Sequence, residues 1–202
     1  GTDPSRCGML PGFTRPDYGF EDYVRHVIQA PMFFVQQPGG LVPADGMTFA
    51  ELMSDGFEGR AATYEDFALH NSTIFTDVRL KHTVEVRTVD CQQPQMLPAV
   101  LAFLCGLLFC ERSRLRIRHL LAPFAEHQLR ALPDRLAREG ISGRFNGISM
   151  RELSLELIDL AARGLPSCFE DGAEAADHLQ PIRALAEQGK TPADVVLERF
   201  GD

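Results

Sequence analysis

Tryptophan is absent from this chain, and paired cysteines are too. Five cysteines (Cys7, Cys91, Cys105, Cys110 and Cys168) make an odd number, and no two stand at Cys-x-x-Cys spacing. That excludes a zinc-ribbon pattern and argues against a disulfide framework, so the expected setting is reducing and cytoplasmic. There is no Lys/Arg block and no basic stripe, and the formal net charge is −8. A nucleic-acid partner is therefore not expected. The N-terminus shows no basic-then-apolar leader. The longest apolar run, 96–110, falls short of the ~20 residues that a membrane span needs. It is also interrupted by Pro98 and Gly106, so a buried core helix explains it better and no membrane is expected. No repeat is visible, and there is no Gly-x-x-x-x-Gly-Lys phosphate loop. His26, His119, His127 and His178 fall on expected helices with no partner at metal spacing.

What is present suffices for a globular core: 45% of the 202 residues are apolar, 14 of them Phe. The pattern divides the chain into 1–93, which mixes strands with short helices, and 94–202, which is helical. In the first part, 1–19 reads as loop, punctuated by Pro4, Gly8, Pro11, Gly12, Pro16 and Gly19. The stretch 20–30 has helical spacing, with Phe20, Tyr23, Val24, Val27 and Ile28 on one face. Residues 32–36 read as a strand before a Pro38-Gly39-Gly40 turn. Thr48 with Glu51, and Thr63 with Asp66, have the spacing of helix starts. In the second part, helices are expected over 95–112, 113–132, 133–139, 149–163, 172–187 and 191–200. The last opens with Thr191, Pro192 and Asp194, a cap, a first-position proline and a first-turn acid. This part carries no catalytic constellation, and its expected task is to cover the sheet.

Chemistry concentrates between 70 and 90. From Thr76 to Thr88 the residues alternate: Val78, Leu80, His82, Val84 and Val86 on one side, Asp77, Arg79, Lys81, Thr83, Glu85 and Arg87 on the other. A turn near Lys81-His82 would make this a hairpin, and Glu85 and Arg87 would still share a face. The polar face admits two readings. One is a solvated sheet side with cross-strand ion pairs. The other is a substrate wall: arginine grips carboxylate or phosphate at two points, and glutamate is a hard ligand for Mg²⁺ carried by nucleotide phosphates. Metal and anion held side by side on a rigid strand suit phosphoryl transfer.

HNSTIFTDVRLKHTVEVRTVD (70–90) resembles the signature of the plant and proteobacterial glutamate–cysteine ligases, which read close to His-Leu-Thr-Thr-Ile-Phe-Pro-Glu-Val-Arg-Leu-Lys and then a Glu-x-Arg strand. DPSRCGMLPGF (3–13), GFEDYVRHVIQAPMFFV (19–35), GMTFAELM (46–53), LPAVLAFLCGLLF (97–109) and TPADVVLERF (191–200) resemble further blocks of that family, in order. The resemblance implies ATP-dependent formation of γ-glutamylcysteine, the first step of glutathione synthesis, with ATP and Mg²⁺ as cofactors and glutamate and cysteine as substrates. The implied fold is α+β: part of a glutamine-synthetase-like antiparallel sheet, an incomplete funnel, followed by a helical C-terminal region. TVEVRTVD (83–90) is also similar to the Glu-x-Arg strand of glutamine synthetases. By that carry-over Glu85 is the metal-ligand candidate and Arg87 a glutamate or phosphate contact. Arg79 would be a second catalytic contact to phosphate, and His70, Thr73 and Arg6 would line the substrate site.

Departures from the family pattern are specific. Asn71 stands where the plant enzymes have Leu, Phe67 where they have Trp, and Thr76-Asp77 replaces Pro-Glu. Pro43-Ala44-Asp45 fills a stretch where the plant enzymes carry a redox cysteine. These differences point to a bacterial member. Family members have roughly twice this length, and nothing here corresponds to their acidic N-terminal strands. Gly1 fits a cloning remnant, and the Gly/Pro-rich opening reads like the interior of a protein. The expectation is a C-terminal fragment of a ligase, inactive in isolation, partnered by the missing N-terminal half or by a second copy. The alternative is a non-catalytic or degenerate module of the same fold that acts through dimerisation or partner binding.

Overall fold

The computed structural model describes residues 3–201, so Gly1, read above as a cloning remnant, lies outside the described residues. The architecture is α+β and mostly helical, with small two-stranded ladders. It divides into two compact units, 1–89 and 90–202.

The first unit runs β1 (Cys7–Gly8), α1 (Phe20–Gln29), β2 (Phe34–Gln37), β3 (Gly40–Pro43), α2 (Phe49–Asp55), α3 (Tyr64–Ser72), β4 (Phe75–Thr76), β5 (Val78–Leu80) and β6 (Val84–Val86). β1 pairs with β4 in parallel, a ladder that the loop reading of 1–19 did not contain. β2 pairs with β3 and β5 with β6, both antiparallel. Local chemistry explains the helix starts. The Thr48 hydroxyl accepts from the N–H of Glu51, whose carboxylate accepts from the Thr48 N–H; Thr63 and Asp66 repeat the exchange for α3. Helix α1 buries Tyr23 and Val27, whereas Phe20 and Val24 of the expected face are exposed. Two apolar clusters fill the unit, one around Leu10, Tyr23, Val27, Ala30 and Ile74, the other around Met32, Val35, Ala44, Phe49 and Leu52; Phe67 packs against both.

The second unit runs α4 (Leu97–Leu108), α5 (Glu111–Leu121), α6 (Glu126–Glu139), β7 (Arg144–Phe145), β8 (Ile148–Ser149), α7 (Met150–Gly164), α8 (Gly172–Ala175), α9 (Gln180–Glu187) and α10 (Pro192–Phe200). The expected break at Pro133 is not there, since α6 runs through it. The break falls at 122–125, around Pro123. β7 and β8 form a hairpin at Asn146-Gly147, where both residues take positive φ, as a two-residue hairpin turn demands. Helices α4 and α7 cross at the centre of the unit's core. A Cβ on Gly106 would strike the Ala161 carbonyl, and one on Gly164 would strike the Gly106 carbonyl, so both positions must be glycine for the helices to approach this closely. No single helix among the described residues is long and apolar enough to cross a membrane.

Candidate functional site

The polar stretch 76–88 folds as the hairpin β5–β6, with Arg79 directly opposite Glu85, Val78 opposite Val86 and Leu80 opposite Val84. The cross-strand ion pair of the solvated-face reading is present, and Lys81, Thr83 and Arg87 are exposed, but the face is not solvated throughout. Val78, Val84 and Val86 are 38, 62 and 36% exposed, while Arg79 is 7% exposed. The polar face therefore turns inward at its base, and the valines face out.

Burial of Arg79 is supported by partners. Its Nε donates to Glu85 Oε2 at 2.7 Å, and its Nη1 donates to the carbonyls of Ser72 at 2.7 Å and Ile74 at 3.2 Å. Ser72 ends helix α3, where carbonyls lack intrahelical donors and a cation is favoured. Arg6, 1% exposed, reaches the same helix end from beside β1. Its guanidinium donates to Thr73 Oγ1 at 3.5 Å and to the Pro31 carbonyl, and it lies 3.6 Å over the Phe33 ring. Thr73 Oγ1 in turn donates to the His70 carbonyl at 2.7 Å. The His70 ring donates from Nε2 to the Val27 carbonyl at 2.8 Å and stacks on Phe49. Burial pushes its pKa below the usual imidazole range, against the pull of the Val27 carbonyl.

The seven charged or polar residues of interest thus fall into two groups. Arg6, His70, Thr73 and Arg79 gather round the C-terminal end of α3, and each is committed to protein partners. Lys81, Glu85 and Arg87 lie on the hairpin with side chains about one-third exposed. Glu85 Oε2 takes Arg79 at 2.7 Å and Arg87 Nη1 at 3.6 Å, and Oε1 faces Lys81 Nζ at 3.7 Å. Arg79 first, with Lys81 and Arg87 behind it, holds the carboxyl below its usual range. Arg87 is further set by its backbone N–H on the Asp77 carbonyl at 2.8 Å and by Phe75, whose ring centre is 5.7 Å from its guanidinium.

Three cations around one carboxylate leave an excess of positive charge facing water. That suits an anion: a carboxylate or a phosphate. A divalent cation at Glu85 would meet the cations that both carboxylate oxygens face. Among the described residues no group of three or more His, Cys, Asp or Glu could hold a metal.

One element was not anticipated from sequence. The Tyr23 hydroxyl donates to Asn71 Oδ1 at 2.7 Å, and Asn71 Nδ2 donates to the Leu80 carbonyl at 2.7 Å. Asn71, singled out above only as a departure, ties α1, α3 and β5 together; a buried amide four residues before β4 is a signal but does not name its partners. Beside this link, Leu10, Phe13, Tyr18, Tyr23, Val78 and Leu80 help line an open, mainly apolar groove of about 550 Å³.

The sequence pattern of Glutamate-cysteine ligase family 2 matches residues 1–201. Chloroplastic glutamate–cysteine ligases of Brassica juncea and Medicago truncatula are each 30% identical to this chain over 98% of its length, and the enzyme of Arabidopsis thaliana is equally so. The chain belongs to glutamate–cysteine ligase family 2. It spans about 39% of the length of the Brassica and Medicago relatives and 38% of the Arabidopsis one.

Proposed function

We propose that this chain supplies one wall of an ATP-dependent carboxylate–amine ligase site that joins glutamate to cysteine, and that the remainder of the site comes from polypeptide outside these 202 residues. Membership of the family supports the reaction class. The observation that carries the site is the cationic pair Lys81 and Arg87, held on the two oxygens of Glu85 at the open face of a hairpin whose base is anchored by Arg79.

In this reading the hairpin is part of a larger, glutamine-synthetase-like antiparallel sheet. A lone two-stranded ribbon is marginal in water, and the exposed valines of β5 and β6 offer an apolar face for further structure to cover. Bound Mg-ATP would supply the phosphoryl group that activates the γ-carboxylate of glutamate for attack by the cysteine amine. This chain's own contribution is binding and charge. Arg87 presents a planar fork to carboxylate or phosphoryl oxygens and Lys81 a point charge, both helping to neutralise negative charge that builds up during transfer. Arg6, His70, Thr73 and Arg79 set the backbone on which that face stands. Magnesium at Glu85 would compete with its three cationic neighbours, and the reading does not use it.

Calorimetric titration of the chain with glutamate and with Mg-ATP tests this, comparing wild type with Arg87→Ala. Loss of one charge-assisted contact should weaken binding of at least one of them about ten- to a hundredfold. Equal binding by both proteins would remove Arg87 from the site.

A further inference from the structure

We propose that Arg79 is a positioning residue rather than a substrate contact: it fixes Glu85, and Glu85 fixes Arg87 and Lys81 at the spacing an incoming anion meets. This rests on the reading of the hairpin as the anion-binding wall. It differs from the phosphate-contact role that family resemblance implies for Arg79.

First, Arg79 is not available. It is 7% exposed, and two of its nitrogens have three protein acceptors, Glu85 on β6, the Ser72 carbonyl at the end of α3 and the Ile74 carbonyl just past it. Turning the guanidinium toward a soluble anion would strand two carbonyls without their donor, a cost comparable to what the anion could return. Second, the plane of the group is fixed. A guanidinium pinned at Nε and Nη1 by acceptors on different elements has no rotation left. A lysine, with one ammonium on a flexible stem, cannot span those acceptors. Third, Glu85 transmits the placement. Its Oε2 is shared between buried Arg79 at 2.7 Å and reachable Arg87 at 3.6 Å, and its Oε1 faces Lys81 at 3.7 Å. The short contact defines the carboxylate, and the two long ones leave Arg87 and Lys81 only partly neutralised. An anion can then compete for their outer faces without breaking the inner pair.

The test is ¹⁵N relaxation of the Arg87 Nε–H in the whole chain, together with titration by inorganic phosphate. Arg79→Lys keeps the charge but loses the span. It should raise the mobility of the Arg87 Nε–H and weaken phosphate binding about tenfold. Glu85→Gln breaks the relay from the other end while leaving Arg79 its two carbonyls, so it covers the case in which Arg79→Lys does not fold. Leu52→Ala, a fully buried core change in the same unit, controls for general loss of stability and should leave Arg87 as ordered as in wild type. Unchanged Arg87 mobility in both Arg79→Lys and Glu85→Gln overturns the inference, as does a direct response of the Arg79 Nε–H to phosphate in wild type. If wild type binds no phosphate, the wall reading loses its support, while the mobility measurement still decides whether Arg79 positions Arg87.

Discussion

Replacing Asp66 by asparagine probes the joint on which α3 is set. Asp66 is 2% exposed. Its carboxylate accepts from Arg60 Nη1 at 2.8 Å and Nη2 at 2.7 Å, and from the Thr63 N–H and hydroxyl at 2.9 and 2.7 Å. The Arg60 fork dominates, opposed by burial and joined by Thr63, and the pKa falls from 3.8 to about 2. At about 1.4 kcal/mol per unit, that shift corresponds to at most about 2.5 kcal/mol of pH-linked stability. The Arg60 side chain is 29% exposed, so screening trims the figure to about 1–2 kcal/mol. The sign follows from proton binding. Between pH 3.8 and about 2 the unfolded carboxylate is protonated before the folded one, so the contribution is complete above 3.8 and disappears as pH falls toward 2. Asp66→Asn keeps one acceptor oxygen and the shape but no charge, and should lose about 1–2 kcal/mol at neutral pH. The three tyrosines, Tyr18, Tyr23 and Tyr64, all lie in the first unit, and there is no tryptophan. Tyrosine fluorescence during urea unfolding therefore reports the unit that holds Asp66. A wild-type to Asp66→Asn stability difference of the same size at pH 5 and at pH 2 would owe nothing to the charge and would refute this role for the Asp66 carboxylate.

Two further outcomes are expected. Burial lowers the pKa of His70, so as pH falls past about 6.5 the unfolded chain takes up this proton before the folded chain does. Stability should drop as pH falls through that value, and His70→Phe should remove this part of the drop, read as the shift in urea midpoint between about pH 7.5 and about pH 5. In the second unit, Gly106→Ala should cost about 3 kcal/mol because the obstacle is a helix backbone and not a movable side-chain tip. Gly39→Ala, with open space around it, serves as the control in thermal melts followed by circular dichroism, and a Gly106→Ala melt as high as that control would show that the two helices can part at little cost.

Capping motifs were readable from sequence because their chemistry is local. Thr48 with Glu51, Thr63 with Asp66 and Thr191 with Asp194 satisfy each other across one helical turn, with no help from the rest of the chain. The Asn146-Gly147 turn carried an equally local signal, although β7 and β8 were not among the expected strands. Alternation in 76–88 identified the two faces of the hairpin but not which one is inward. That depends on the Ser72 and Ile74 carbonyls, which wait at the end of α3 for a donor that only the folded chain brings. Pro133 misled for a related reason: its lost backbone bond is tolerated within α6, whereas Pro123 sits where the chain already turns. Arg6, His70 and Thr73 were singled out through family resemblance, and their inward commitments could not have been read from the residues alone.

The meeting of α4 and α7 at Gly106 and Gly164 has a consequence for how this unit can drift. Each glycine leaves room for the other helix's main chain, so neither helix has a side chain at the contact that could be trimmed to compensate a change in its neighbour. The crossing is therefore encoded by two missing side chains, while the surrounding Phe103, Leu155 and Leu157 are only partly buried against the core and can be exchanged for others of similar volume. Such a unit keeps its angle through extensive turnover of apolar residues, and the permissible histories of its sequence are those in which both glycines stay put.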